Sequence, residues 1–189
     1  TKPLSSIKSS TPSPGVLSES SNPGSSVIVF DQSHGQYYDA SLLSDFIAML
    51  REDGNEVIIN NGTQSITKGL LDAADILIIT NPDILTYKVL TPQEQDAIHD
   101  FLSENGSLLI MGTWYKYFEL AYLKPITGRY GIWWNDTQVI DKTDNNVSEY
   151  YPLIHNWTAN AAPFITGGVT HVQADRSTCL AVSGEAVPI

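Results

Sequence analysis

The sequence predicts an α/β fold built as a mainly parallel, doubly wound sheet with helices on both faces. Three observations carry this. Between residues 27 and 112 there are four short, near-continuous apolar runs, the pattern of strands buried on both sides. Amphipathic helical patterns separate them, as parallel strands joined by right-handed crossovers require. The length of 189 residues, with 42% hydrophobic and 16% charged residues, suits one packed domain of ordinary size.

The elements follow in order. Val27 to Asp31 is the first strand. Ser41 then opens a helix in which Leu43, Phe46, Ile47 and Leu50 fall at i, i+3, i+4 and i+7, one apolar stripe. Gly54 supplies the left-handed residue that ends it. Glu56 to Asn60 is the second strand, Lys68 to Ala74 a short helix, and Ile76 to Thr80 the third strand. Thr91-Pro92-Gln93-Glu94 is the clearest boundary: a capping Thr, a Pro at the first helical position and a Glu that closes a capping box. The helix that follows has Ala97, Ile98, Phe101 and Leu102 on its inner face and stops at Asn105-Gly106. Ser107 to Gly112 is the fourth strand.

Beyond Tyr115 helical periodicity fades and aromatic residues accumulate, so this half is expected to be irregular apart from late strands at Val169–Val172 and Thr178–Val182. Residues 1 to 26 are different material, with Ser, Thr, Pro and Gly at 18 of 26 positions. They read as an extended linker ahead of a single domain over residues 27 to 189. Leu4, Ile7, Val16 and Leu17 are its candidate anchors on the domain or on a neighbouring chain. A start at Thr1 without an initiating Met reads as a mature or excised fragment.

Composition excludes several functions. A net charge of −11 repels nucleic acid, whose binding needs Lys and Arg against phosphates. No apolar run approaches the ~20 residues that span a bilayer, so membrane insertion is not expected. The single Cys179 rules out an intrachain disulfide, disfavours a zinc site and reads as a small buried residue. His99 lies off the apolar face of its helix and is expected in solvent; His171 falls in a strand pattern and needs no function. Asn-x-Ser/Thr triplets at Asn61, Asn105, Asn135, Asn146 and Asn156 are candidate glycosylation acceptors. With the acidic balance they lead to the expectation of an extracellular or cell-surface protein, although cytosolic proteins share that balance.

Open α/β sheets bind ligands beyond the carboxyl ends of their strands, where strand order reverses. The segments leaving the first and third strands are Asp31-Gln32-Ser33-His34-Gly35-Gln36 and Thr80-Asn81-Pro82-Asp83, and the fourth strand delivers Gly112-Thr113-Trp114 to the same edge. Candidate binding residues are therefore Asp31, Ser33, His34, Gly35, Gln36, Asn81, Thr113 and Trp114. Trp133 and Trp134, followed by Asn135 and Asp136, could offer flat rings to a sugar, although such rings more often fill cores.

Asp31, Ser33 and His34 include the residue types of a hydrolase triad. Adjacency of Ser33 and His34 makes the geometry awkward, and Ser33 lacks a Gly-x-Ser-x-Gly elbow. No His spacing supports a metal site, since His155 would have to join Asp31 and His34 from a distant loop. Against both stands a polar turn whose side chains satisfy its own backbone. No catalytic residue, metal or cofactor is expected.

Taken together, the series Phe30 to Gln36, Asp75 to Pro82, Thr91-Pro92-Gln93-Glu94 to Ile110, and Ile165-Thr166-Gly167-Gly168-Val169 resembles GIFT-type domains, relatives of the class I glutamine amidotransferase-like fold. Such domains occur in gliding-motility transporter components, intraflagellar transport proteins, an oligosaccharyltransferase subunit and microbial surface proteins. The resemblance spans about residues 26 to 187 and implies a flavodoxin-like three-layer sandwich that binds a glycan or a protein partner. Amidotransferases of this fold carry a Cys at an elbow after a central strand. Here the comparable stretch is Met111-Gly112-Thr113-Trp114-Tyr115, which removes the thiolate chemistry. The resemblance thus points to a non-catalytic member. A hydrolase acting through Asp31 and His34, and a purely structural assembly module, remain as alternatives.

Overall fold

The computed structural model describes residues 25–62, 64–81, 88–112, 120–135, 137–154, 171–174, 177–184 and 186. Its centre is a parallel sheet of β1 (Val27–Asp31), β2 (Glu56–Asn60), β3 (Ile76–Thr80) and β4 (Ser107–Met111), in the order β2-β1-β3-β4. The register pairs Asp31 with Asn60 on one side and with Ile79 on the other. The expected linker over residues 1 to 26 lies outside the described residues except for Ser25 and Ser26.

Alternation along the strands divides the core in two. Val29, Leu77 and Ile79 face a cluster that includes Leu71, Ala97, Ile98, Phe101, Tyr122, Leu123 and Ile126. Ile28, Phe30, Val57 and Ile78 face Ile47 on the opposite side. The central strands β1 and β3 are apolar at nearly every position because both faces are covered. At the edge of the sheet, β4 leaves Leu109 42% exposed. Each fully buried Leu, Ile or Phe contributes about 1.5–3 kcal/mol, so these two clusters dominate stability. The result is the flavodoxin-like α/β sandwich the sequence predicts.

Helix α1 (Ser44–Glu52) begins three residues later than expected from Ser41. Asp39 winds the preceding turn instead: its Oδ1 accepts from the N–H groups of Ser41 and Leu42 at 2.9 Å each. Helix α2 (Lys68–Leu71) is shorter than the Lys68–Ala74 segment predicted and is capped by the Thr67 side chain. Helix α3 (Pro92–Ser103) carries the predicted capping box and buries Ala97, Ile98 and Phe101. It ends at Asn105, whose φ of 75° turns the chain, and Gly106 leaves room for the Phe101 ring. His99 is 8% exposed rather than solvated, with Nδ1 3.4 Å from the Tyr130 hydroxyl; Tyr130, contributed from another element, covers the helix flank that the periodicity left open.

Among the described residues of the C-terminal half, one helix and four short strands stand amid irregular chain. Helix α4 (Leu120–Thr127) inserts Tyr122, Leu123 and Ile126 fully into the core. Its sequence has no apolar stripe opposed by a polar face, and Pro125 is a helix breaker, so neither usual signal was present. A 3-10 turn (Gly128–Tyr130) leads into β5 (Ile132–Trp134), which pairs antiparallel with β8 (Leu180–Val182). A second pair joins β6 (Leu153–Ile154) to β7 (Val172–Gln173). Thus β8 falls within the predicted Thr178–Val182 strand, while of Val169–Val172 only His171 and Val172 are described. Cys179 is exposed, not buried; it immediately precedes β8 in the two-stranded sheet. Among the described residues no helix is long and apolar enough to cross a membrane.

Gly131 closes the 3-10 turn with φ +72°, and a Cβ there would collide with the Ser183 carbonyl oxygen. Gly131→Ala is expected to destabilise the protein by about 1–3 kcal/mol. A urea midpoint shift at unchanged slope measures this.

Candidate functional site

Asp31 ends β1, one of the two buried central strands of the sheet, and its side chain is fully buried. A carboxylate removed from water must be satisfied by donors. Here Oδ1 accepts from the Ser33 hydroxyl at 2.7 Å, the Ser33 N–H at 3.3 Å and Asn60 Nδ2 at 2.8 Å. Oδ2 accepts from Gln36 Nε2 at 2.6 Å and lies 2.9 Å from His34 Nδ1. The fold supplies these donors in two ways. Parallel register sets Asn60 beside Asp31, and Gly35, at φ 72°, turns the loop so that His34 and Gln36 both return over it. Gln36 Oε1 then accepts from the His34 N–H at 3.0 Å, closing the turn.

His34 extends the network sixty residues along the chain. Its Nε2 lies 3.0 Å from Glu94 Oε1. Glu94 is only 3% exposed, and each oxygen has two donors. Oε1 takes His34 and the Ile66 N–H at 3.0 Å; Oε2 takes the Thr91 N–H at 2.8 Å and hydroxyl at 2.7 Å. One side chain therefore caps α3, holds the segment before α2 and anchors the first loop. Tyr122 presents its ring to His34 at 6.1 Å and 62°.

A carboxylate at each ring nitrogen favours a proton on each, the state in which His34 is an imidazolium between two anions. Burial opposes its charge, but the hydrogen bond and charge of Asp31, then those of Glu94, outweigh it and raise the ring above its ordinary 6.5. Burial likewise works to raise Asp31, yet the His34 bond and charge and the Ser33 bonds hold it below its ordinary range. Glu94 is also lowered: the Thr91 bonds, the His34 charge and the Ile66 N–H overcome its burial. The Tyr122 hydroxyl is pushed up by burial and by the charges of Asp31 and Glu94.

This arrangement limits the chemistry. A serine nucleophile needs a base with a free lone pair. His34 has none while both nitrogens hold protons for carboxylates, and Ser33, 6% exposed, gives its own proton to Asp31. The adjacency that makes Ser33-His34 awkward in sequence is visible as geometry: the hydroxyl sits 2.9 Å from Nδ1, the nitrogen committed to Asp31. Among the described residues no group of three or more His, Cys, Asp or Glu side chains is arranged to hold a metal ion. His155 lies outside them.

Of the residues singled out in the sequence, Asp31, Ser33, His34, Gln36 and Asn81 are buried and Gly35 is half-buried. The Asn81 carbonyl accepts from the Tyr37 N–H at 3.0 Å and the Thr80 hydroxyl donates to the Tyr38 carbonyl at 2.7 Å, so the turns after β1 and β3 do meet. Thr113 and Trp114 lie outside the described residues. Trp133 and Trp134 sit on β5, in a different sheet. Trp134 packs against the core, whereas Trp133 is 38% exposed over Gly128, with Lys124 Nζ 5.9 Å from its ring. Among the glycosylation candidates, Asn61, Asn105 and Asn146 are exposed and Asn135 is half-buried; Asn156 lies outside the described residues. Two members of the network were not foreseen as site residues. Asn60 had a signal, a polar residue ending an apolar strand in step with Asp31. Glu94 had only its capping-box role, which says nothing of a partner sixty residues away.

No protein-family model matches the chain, and no curated protein matches it in sequence. Among solved structures it is similar to the mmIFT52 N-terminal domain, with a TM-score of 0.70 and 17% identity, covering 86% of this chain and 71% of that one. At this identity the likeness is one of fold. It agrees with the intraflagellar-transport branch of the GIFT resemblance, while no sequence match stands behind the amidotransferase kinship. It also corrects one expectation. The extracellular or surface location expected from the Asn-x-Ser/Thr triplets and the acidic balance is contradicted: the similarity to an intraflagellar transport domain points away from it.

Proposed function

We propose that the chain is a non-catalytic GIFT-type interaction module that assembles with a protein partner. The observation that carries this reading is the closed Asp31–His34–Glu94 network. Among the described residues at the switch point of the sheet, Asp31, Ser33, His34 and Glu94 are all buried and hydrogen-bonded within the protein. The loop that would carry an active site acts as a lock joining β1, β2, α2 and α3. The fold shared with the mmIFT52 N-terminal domain supports the same reading. A protein partner is preferred to a glycan because Trp134, half of the candidate sugar platform, packs into the core.

The competing reading is a hydrolase working through Asp31 and His34. The purified 189-residue chain is expected to show no turnover of chromogenic esters, glycosides or amides above the uncatalysed rate. Turnover that disappears in Asp31→Asn while the variant remains folded would contradict the proposal. For the partner, stoichiometric co-purification should be reproduced when the purified components are mixed. Failure of every captured protein to rebind in pure form counts against the module reading.

A further inference from the structure

Resting on that reading, we propose that a small cleft over the Asp31–His34–Glu94 network receives a carboxylate side chain of the protein partner. The cleft has a volume of about 170 Å³, the scale of one side chain. Its floor is His34 and Glu94, and its walls are Gln64, Ser65, Lys88 and Val89.

The chemistry of the occupant follows from which groups are already occupied. Glu94 has two donors on each oxygen, and both nitrogens of His34 are committed to carboxylates. The floor therefore offers a ligand no free acceptor and no free ring proton. The Lys88 ammonium, the Gln64 amide and the Ser65 hydroxyl, by contrast, make no side-chain hydrogen bond with another described residue. All three can donate, and one is a full positive charge. Asp31 and Glu94 against His34 leave the floor one net negative charge, so a carboxylate is held by direct contact with the Lys88 ammonium and the two neutral donors, not by the field of the floor. Repulsion from the net −11 of the chain acts over longer distances and is screened beyond ~8 Å at physiological salt. Val89, 58% exposed at the rim, gives the methylene stem of a Glu or Asp an apolar surface.

The walls are also held in place. The Lys88 N–H donates to the His34 carbonyl at 2.9 Å, and the Gln64 N–H to the Asn61 carbonyl at 3.1 Å. The cleft thus forms on the back of the lock: the network fixes the Lys88 backbone through the His34 carbonyl, and Glu94 holds the Ile66 N–H next to Ser65. That gives the buried His34 pair a role in recognition as well as in stability.

The test is a nuclear magnetic resonance titration of the ¹⁵N-labelled full chain with acetyl-Gly-Glu-Gly-amide and with its uncharged Gln counterpart. The Glu peptide should give saturable amide shifts at Gln64, Ser65, Lys88 and Val89, with an affinity in the millimolar range. The Gln peptide should bind at least tenfold more weakly, as should the Glu peptide to Lys88→Gln. Lys88→Gln should remain folded, since the Lys88 side chain is exposed. No saturable shift, equal binding of both peptides, or an unchanged response in Lys88→Gln would overturn the proposal. The two readings separate in the partner experiment. If a partner rebinds Lys88→Gln as well as wild type, the carboxylate cleft falls and the interaction module stands.

Discussion

Replacing His34 with alanine is expected to lower the unfolding free energy by about 3–5 kcal/mol, among the largest effects available to a single substitution here. The cost does not come from the lost ring alone. It comes from leaving Asp31, fully buried, and Glu94, 3% exposed, as two carboxylates without the cation between them. For a chain of this length, that corresponds to a fall in midpoint temperature of roughly 10 °C. Adding either Asp31→Asn or Glu94→Gln to His34→Ala should recover part of the loss, because a neutral amide buries at lower cost. Urea unfolding of the four proteins measures both statements. A loss below about 1 kcal/mol in His34→Ala would mean the three residues do not act as a unit.

The second large effect is a pH dependence whose sign the network fixes. His34 is raised above 6.5, so its contribution is fully present below pH 6.5 and is lost as pH rises through the folded value. Asp31 and Glu94 are depressed below 3.8 and 4.5, so theirs are present above those values and lost as pH falls through the folded ones. Together these predict that the contribution of the network is level between pH 4.5 and 6.5 and declines on each side. His99 acts in the opposite sense. Burial and the Arg129 charge lower it, so it removes stability as pH falls below 6.5. The diagnostic is therefore the difference between wild type and His34→Ala, which should shrink steadily as pH rises above 6.5. A difference independent of pH between 6 and 9 would contradict a charged His34.

Much of this fold could be read in the residues. The central strands β1 and β3 stand out because burial on both faces makes nearly every position apolar, as in Ile76-Leu77-Ile78-Ile79, and the edge strands β2 and β4 also carry apolar runs but are less buried. The capping box at Thr91 and Glu94 is legible because it is local, four residues that satisfy one another. Helix α4 was hidden because it is buried by tertiary packing rather than by an amphipathic stripe, and Pro125 disguises it further. The same distinction governs the site. Asp31, Ser33, His34 and Gln36 share one loop and draw attention as a group. Their decisive partner, Glu94, is set by how α3 returns to the edge of the sheet, a contact between residues sixty apart. Without Glu94, the Ser33-His34 pair keeps its catalytic look; with it, both ring nitrogens are accounted for.

The protonation state of His34 tests the central claim most directly. Specific ¹⁵N labelling of the imidazole, followed from pH 5 to pH 9, reports each ring nitrogen separately. A locked network predicts that both nitrogens carry protons at pH 7 and that the ring titrates above 6.5. A ring that is neutral at pH 7, with one nitrogen unprotonated, would restore a base beside Ser33 and contradict the account.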